Sequence, residues 1–350
     1  MNRSLPYPTL PLSPPSAQPR PFCSVIVTSY KRADLLEHCL GKIISQDIPP
    51  DRLEILIADD DPESDFAARV AEWTSGRGIY LRNPENLGLF PSINATIARS
   101  RGEWIHIIAD DDWIDPGFYT TLEAAIATSP QPCGMAVGNY VVFNEDKKAF
   151  FPSQPLAEAP GILGNAFLAR LASMNPLRVP AVLIKRETIE KIGLFREDLP
   201  YCGDWEFWFR AATQVPWLYV PGAVAYFRVH ARSQTRALMR TAQSAEDERR
   251  MLDLNEQALP PEMVPHIMPR ARAHHAGQML RNAKAALDLK LVPTAERYIR
   301  EACAIFPEAV RTAEFLACLE HPSMAKLRQQ FHHEATRHSA QDRPRSDGAI

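Results

Sequence analysis

Three apolar stretches set the rhythm of the first half of the chain. Cys23 to Thr28 (CSVIVT), Leu53 to Ala58 (LEILIA) and Trp104 to Ala109 (WIHIIA) are β-branched-rich runs of strand length, and polar or acidic residues follow each at once. Runs of this kind belong to strands buried on both faces. Between them the spacing changes to that of helices. Leu35, Leu36, Cys39, Leu40, Ile43 and Ile44 form one stripe of a helix from about Ala33 to Gln46. A second helix runs through Phe66, Val70 and Trp73 to a short strand, Ile79 to Leu81. A third spans Pro91 to Arg99, and Pro116 fits the first turn of a fourth that continues to about Thr128. Strand and helix in strict alternation predict a mainly parallel sheet covered on both faces.

After Thr128 the pattern loosens. Cys133 to Phe143 and Ala149 to Phe151 read as a hairpin across NEDKK, Gly161 to Ser173 as a helix, and Ala181 to Ile184 as a short strand. One helix ends near Gly193, another begins near Asp204, and Trp217 to Val220 and Ala223 to Arg228 read as two strands. From about Ser233 only helices are expected, with Pro260, Pro261, Pro269, Pro293, Pro307 and Pro322 each near a helix start. Part of this region resembles a single tetratricopeptide unit, which cannot bury its own faces, so a helical cap or oligomerisation element is the reading. The domain expectation is a Pro-rich leader over 1–21 and an α/β domain over 22–235, split at 128/129 into two halves. A helical region over 236–338 and a frayed tail over 339–350 complete it.

Composition narrows the class. Of 350 residues, 45% are hydrophobic and 23% charged, as in an ordinary globular protein, and a net charge of −3 gives no reason to propose nucleic acid as partner. Six scattered cysteines (Cys23, Cys39, Cys133, Cys202, Cys303, Cys318) with no CxxC favour reduced thiols and a cytoplasmic setting. No apolar run reaches the ~20 residues of a membrane-spanning helix, so membrane contact is expected to be peripheral at most.

Candidate chemistry sits where strands end. Asp59-Asp60-Asp61 follows the second long strand and Asp110-Asp111-Asp112 the third, and ligands of open α/β sheets bind at this edge. Three adjacent carboxylates repel one another unless solvent, hydrogen bonds or a cation intervenes, which suggests a divalent cation holding phosphates. Strand geometry alone places Asp110 and Asp112 on one face and Asp111 on the other. Neither GxGxxG nor GxxxxGK[ST] is present, which disfavours an ordinary dinucleotide fold and a P-loop. His106, inside a strand, reads as packed.

Five segments in order, CSVIVTSYKR, IADDDPESD, NLGLFPSINATIARSRGEWIHIIADDDWIDPGF, IGLFREDLPYCGDWEFWFR and YFRVH, resemble the family 2 glycosyltransferases from about Cys23 to Thr235. The resemblance implies an inverting enzyme with the A-type α/β fold, Rossmann-like with a mainly parallel central sheet, here with an all-α C-terminal extension. It implies that Thr28, Tyr30 and Arg32 surround the nucleotide of the donor. Asp59 is the first choice for the base and ribose contact and Asp60 the second, with Asp61 a turn residue. Aligned through Pro116, the DxD-type motif makes Asp111 the ligand of Mn²⁺ or Mg²⁺, with Asp110 near the ribose and Asp112 beside the metal. His230 matches a histidine that closes over the diphosphate and metal, and Arg228, Arg232 and Arg236 are further phosphate candidates. Asp204 takes the place of the catalytic base, with Glu206 in reserve. Two departures stand out: Ala109 where many relatives have Asp or His, and Gly203 where an acid commonly precedes the base.

The implied reaction moves a sugar from a nucleotide-diphospho-sugar, a UDP-sugar favoured, to a saccharide, lipid-linked or other hydroxyl acceptor, as in surface polysaccharide or glycan assembly. The competing readings are a non-catalytic nucleotide-sugar-binding scaffold and a sugar nucleotidyltransferase. SYKR lacks the Gly-rich loop expected of the latter.

Overall fold

The computed structural model describes residues 19–230 and 233–331. Most of the expected leader, Arg232 and the expected frayed tail lie outside the described residues. The first unit is Cys23–Ser29 (β1), Ala33–Ile44 (α1), Leu53–Asp59 (β2), Ala67–Trp73 (α2), Gly78–Arg82 (β3), Leu89–Ile97 (α3) and Trp104–Ala109 (β4). These four strands pair in parallel in the order β3-β2-β1-β4. The register brings Thr28 level with both Ala58 and Ala109, so the loops after β1, β2 and β4 open at one edge. β1 and β2 are buried along their whole length, as their apolar runs require.

The second unit changes the pairing. Trp113–Ile114 (β5), Phe118–Ala127 (α4), Met135–Asn144 (β6), Ala149–Pro152 (β7), Gly161–Ile162 (β8) and Asn165–Ser173 (α5) are followed by Val182–Lys185 (β9), Arg186–Ile192 (α6), Gly203–Ala212 (α7) and Trp217–Val229 (β10). The sheet continues β4-β9-β6-β10-β5. β9 runs antiparallel to both β4 and β6, and β5, which follows the turn at Asp110–Asp112, runs antiparallel to β10. The whole sheet is therefore mixed, parallel in its first four strands.

Four local expectations shift. The two strands expected over 217–228 are one, with a register break between Tyr219 and Val224. Gly138 makes that bulge possible, since a Cβ there would lie 2.2 Å from the Ala223 carbonyl oxygen. Pro116 stands outside α4. Gly117, at φ 77°, precedes the helix, and the Gln46 side chain accepts from the Phe118 N–H at 3.1 Å while donating to the Asp115 carbonyl at 2.9 Å. Gly161 and Ile162 pair with β10 as a strand, so the helix expected there starts at Asn165. Pro269 lies inside a helix rather than at its start.

From Gln234 every described element is helical: Gln234–Arg240 (α8), Gln243–Ala258 (α9), Val264–Asp288 (α10), Val292–Ile305 (α11), Ala313–Glu320 (α12) and short 3₁₀ turns. One core on one side of the sheet joins α3, α5 and α7 to α10 and α11, and a second packs α1 and α4 against the other. Cys23, Cys39, Cys133, Cys202 and Cys318 are buried free thiols, and Cys303 is half-buried. Among the described residues no helix is long and apolar enough to cross a membrane.

Candidate active site

The turn after β4 gathers the site. Relative exposures of 0% for Asp110, 8% for Asp111 and 2% for Asp112 show that Asp111 is the one turned outward. Asp110 accepts from the Ser29 hydroxyl at 2.9 Å and lies 3.4 Å from the Tyr30 N–H through the same oxygen. Its other oxygen, Oδ1, is buried without a hydrogen bond and has the Arg32 Nε at 3.2 Å. Asp111 Oδ2 receives Arg32 Nη1 at 2.7 Å and stands 2.8 Å from His230 Nε2. Asp112 accepts from the Arg228 backbone N–H at 2.9 Å, which ties the turn to the end of β10. Burial pushes the Asp110 carboxyl up to about 7, against the pull of Arg32. Burial, reinforced by the Asp111 charge, holds Asp112 well above the ordinary carboxylate range.

A cavity of about 450 Å³ opens beside the β1 and β2 loops, lined by Thr28, Tyr30, Arg32, Asp60, Gly88 and Ser92 among others. Asp60 is the acidic residue of the first triplet that reaches it. Its oxygens are oriented by the N–H groups of Leu87 and Gly88 at 2.9 and 2.8 Å and by the Asn83 amide at 2.9 Å. Asp59 is fully buried behind it, accepting from Tyr80 at 2.7 Å and from Ser64. Asp61 accepts from the Glu63 N–H at 3.2 Å, an Asx turn.

A second cavity of about 370 Å³ adjoins the acidic turn and shares Thr28 and Arg32 with the first. Asp111, Asp112, Arg228, Tyr201, Asp204 and Trp205 all line it. Asp204 sits one residue inside α7, whose N-cap is Cys202, and Oδ1 accepts from the N–H of Trp205 at 2.7 Å. Burial raises its carboxyl, opposed by that N–H and by Arg178. Gly203 has no room for a larger residue, because a Cβ there would lie 2.6 Å from the Phe90 ring. Glu206 does not line the cavity. It is 1% exposed and locked to Arg210 through two 2.9 Å contacts, while Arg210 also donates to the Ile192 and Leu194 carbonyls at the end of α6.

Other candidates separate. His106 is buried between the Tyr119 hydroxyl at 2.8 Å and the Pro180 carbonyl at 2.9 Å, and burial lowers it to about 4, so it is a neutral core residue. Arg228 lies over Trp113 and Phe143 with its Nε 3.1 Å from the Asp111 carbonyl, and Arg236 pairs with Asp146 on the surface. Asn175 and Arg178, which no motif marks, also line the second cavity. The Arg178 guanidinium is held over Tyr140 and Phe227, 5.3 Å from each ring.

The donor set fits an oxygen-preferring divalent cation in a particular way. Among the described residues no group of three or more His, Cys, Asp or Glu side chains is arranged to hold a metal. Asp111 Oδ2 and His230 Nε2 converge, however, and behind them Asp110 Oδ1 has no hydrogen bond, only the Arg32 guanidinium 3.2 Å away. Ions shared with phosphates commonly take one or two protein carboxylates and fill the rest of their shell from phosphate and water. Arg32, which now occupies this ground, would have to give way.

Residues 24–182 match the family model described as Glycosyl transferase family 2. Glycosyltransferase GlyA of Streptococcus pneumoniae serotype 4 is 30% identical over 131 residues, a match that spans 37% of this chain and 18% of that protein. Among solved structures, the crystal structure of S. aureus TarS 1-349 superposes with a TM-score of 0.60 at 14% identity, covering 88% of this chain and 91% of that one. The mannosyltransferase PcManGT from Pyrobaculum calidifontis, in complex with GDP-Man and Mn²⁺, gives 0.52 at 19% identity over 93% and 86%. The two structural likenesses establish the A-type α/β fold with its helical extension, and residues 24–182, just under half of the chain, are similar to the family 2 glycosyltransferases.

Proposed function

We propose that this chain is a metal-dependent, inverting glycosyltransferase that moves a sugar from a nucleotide-diphospho-sugar to a hydroxyl acceptor. One observation carries the reading: Asp111, Asp112 and Arg32 line the same cavity as Asp204. TarS has been crystallised with UDP-GlcNAc and PcManGT with GDP-Man and Mn²⁺, which supports a donor of this class and a divalent ion here. UDP-sugars remain the favoured donors, and surface polysaccharide or glycan assembly the favoured setting.

In this reading the first cavity takes the nucleoside. Asp60, with both oxygens pre-oriented, accepts from the base or ribose, Asp59 and Asp110 back the site from below, and Tyr30 covers it from the loop. Asp111 and His230 would hold Mn²⁺ or Mg²⁺, with Asp112 beside them; the ion's chemistry is to neutralise charge on the departing diphosphate. Arg32, released from Asp111, turns its guanidinium to a phosphate oxygen. Asp204 takes the proton of the acceptor hydroxyl as that oxygen attacks the anomeric carbon opposite the diphosphate. Its partly buried setting suits a base of raised proton affinity.

The test joins binding and turnover. UDP and GDP are screened for thermal stabilisation with and without Mn²⁺, and nucleoside diphosphate release is followed from UDP-GlcNAc, other UDP-sugars and GDP-mannose. Stabilisation that needs Mn²⁺ and is lost in Asp111→Ala is the expected result. Equal stabilisation without metal, or in that variant, sinks the metal assignment. Binding with no turnover on any donor would favour a non-catalytic nucleotide-sugar-binding protein.

A further inference from the structure

The N-terminal turn of α7, which carries Asp204, is gripped from outside by the helical C-terminal region. The Trp205 indole stacks on the His275 imidazole, with centroids 4.9 Å apart and planes 28° apart, and its Nε1 donates to the Leu171 carbonyl at 2.6 Å. His275 lies in α10 and is 2% exposed, with Nδ1 2.8 Å from Glu248 Oε2 of α9 and Nε2 3.3 Å from the Ala172 carbonyl. One residue earlier in α9, Asp247 accepts from the Tyr201 backbone N–H at 2.8 Å, while Met251 packs with Leu199 and Cys202. Tyr201, Cys202, Asp204 and Trp205 line the second cavity; Asp247, Glu248 and His275 do not.

A buried carboxylate–imidazole pair is poor value as a source of stability, because desolvation consumes much of its attraction. Its geometry suits another task. Anchored at both ring nitrogens, His275 presents a fixed flat surface, and the side chain next to Asp204 rests on it. We propose that Glu248 and His275, with Asp247 at Tyr201, form a positioning clamp by which the helical region fixes the Asp204 carboxylate relative to the acceptor hydroxyl. The proposal rests on Asp204 being the base. It gives the helical region a part in turnover, through residues that never touch substrate.

The clamp is tested on the full chain with the donor that the wild type turns over, by following nucleoside diphosphate release at varied donor and recording thermal midpoints. His275→Ala is expected to lower kcat by about tenfold or more, since ångström misplacements can cost about a hundredfold, with donor KM within about twofold. His275→Phe, which returns a ring beneath Trp205, is expected to recover most of that loss. A folded His275→Ala with wild-type kcat overturns the clamp, and so does a loss appearing in donor KM alone. Should His275→Ala not fold, Asp247→Ala is read by the same two criteria. Asp204→Asn separates the readings: an inactive Asn variant beside an unaffected His275→Ala defeats the clamp alone. An active Asn variant, or a wild type that turns over no donor, defeats the base assignment and the clamp together.

Discussion

Asp204 answers to two opposed demands. As the proposed base it would have to ionise, yet burial raises its proton affinity. A carboxyl raised in the folded state lends stability below its ordinary value near 3.8 and withdraws it as pH climbs through the raised one. Asp204→Asn is therefore expected to raise the thermal midpoint at neutral pH, with the gain vanishing below about pH 4, as thermal melts across pH would show. The same variant is expected to lose about a hundredfold to ten-thousandfold in turnover while keeping donor affinity, and a midpoint unchanged with pH would contradict the burial argument. Beside it, Gly203 marks a departure whose cause is steric. Gly203→Glu, which restores the commoner acid, is expected to cost about 1–3 kcal/mol in denaturant unfolding because the Phe90 ring occupies the space. Sequence alone could rank Asp59 above Asp60 but could not see which reaches solvent. Successive side chains diverge at a strand end, and the choice falls to Tyr80, Ser64 and the Gly88 loop, residues distant in the chain. Arg178 carried no signal at all, since its place depends on two rings from separate strands.

At the scale of elements, α7 turns its two acids into different surroundings. Asp204 faces the cavity, whereas Glu206, two residues on and about 200° around the helix, is turned into the core beside Arg210. Arg210 also satisfies carbonyls at the end of α6, so this ion pair staples two consecutive helices. Glu206→Ala leaves a buried guanidinium without its anion and is expected to cost about 3–5 kcal/mol in stability, with donor binding by the remaining folded protein unchanged. A loss of less than about 1 kcal/mol would show that the pair is not needed. The parallel half of the sheet was legible because both faces of its strands are covered and their sequences are nearly all apolar. The second half was less so. β9 is four residues long, and the bulge in β10 arises from a glycine on the neighbouring strand, which local periodicity cannot report.

Taken whole, the sheet and the helical region share one core. The hydrophobic core on the α3 side of the sheet continues without a break through α5 and α7 into α10, α11 and α12. Heat unfolding is accordingly expected to be a single cooperative transition by calorimetry, and two resolved transitions would mean that the helices fold apart from the sheet. The family match ends at residue 182, so this union of sheet and helices lay beyond what motifs could convey. Spaced prolines and helical stripes announced helices from Ser233 on but not what they would rest against.

Arg32, held between Asp110 and Asp111 and 3.3 Å from His230, makes the resting protein its own salt. If the proposed metal site holds, a bare manganese ion would have to evict a tethered rival and would gain two ligands for the trouble, whereas one escorted by pyrophosphate would bring the displaced guanidinium a new anion. Loading of ion and nucleotide would then be concerted: calorimetric titration of Mn²⁺ alone is expected to give little heat, and chelators to leave the empty fold untouched.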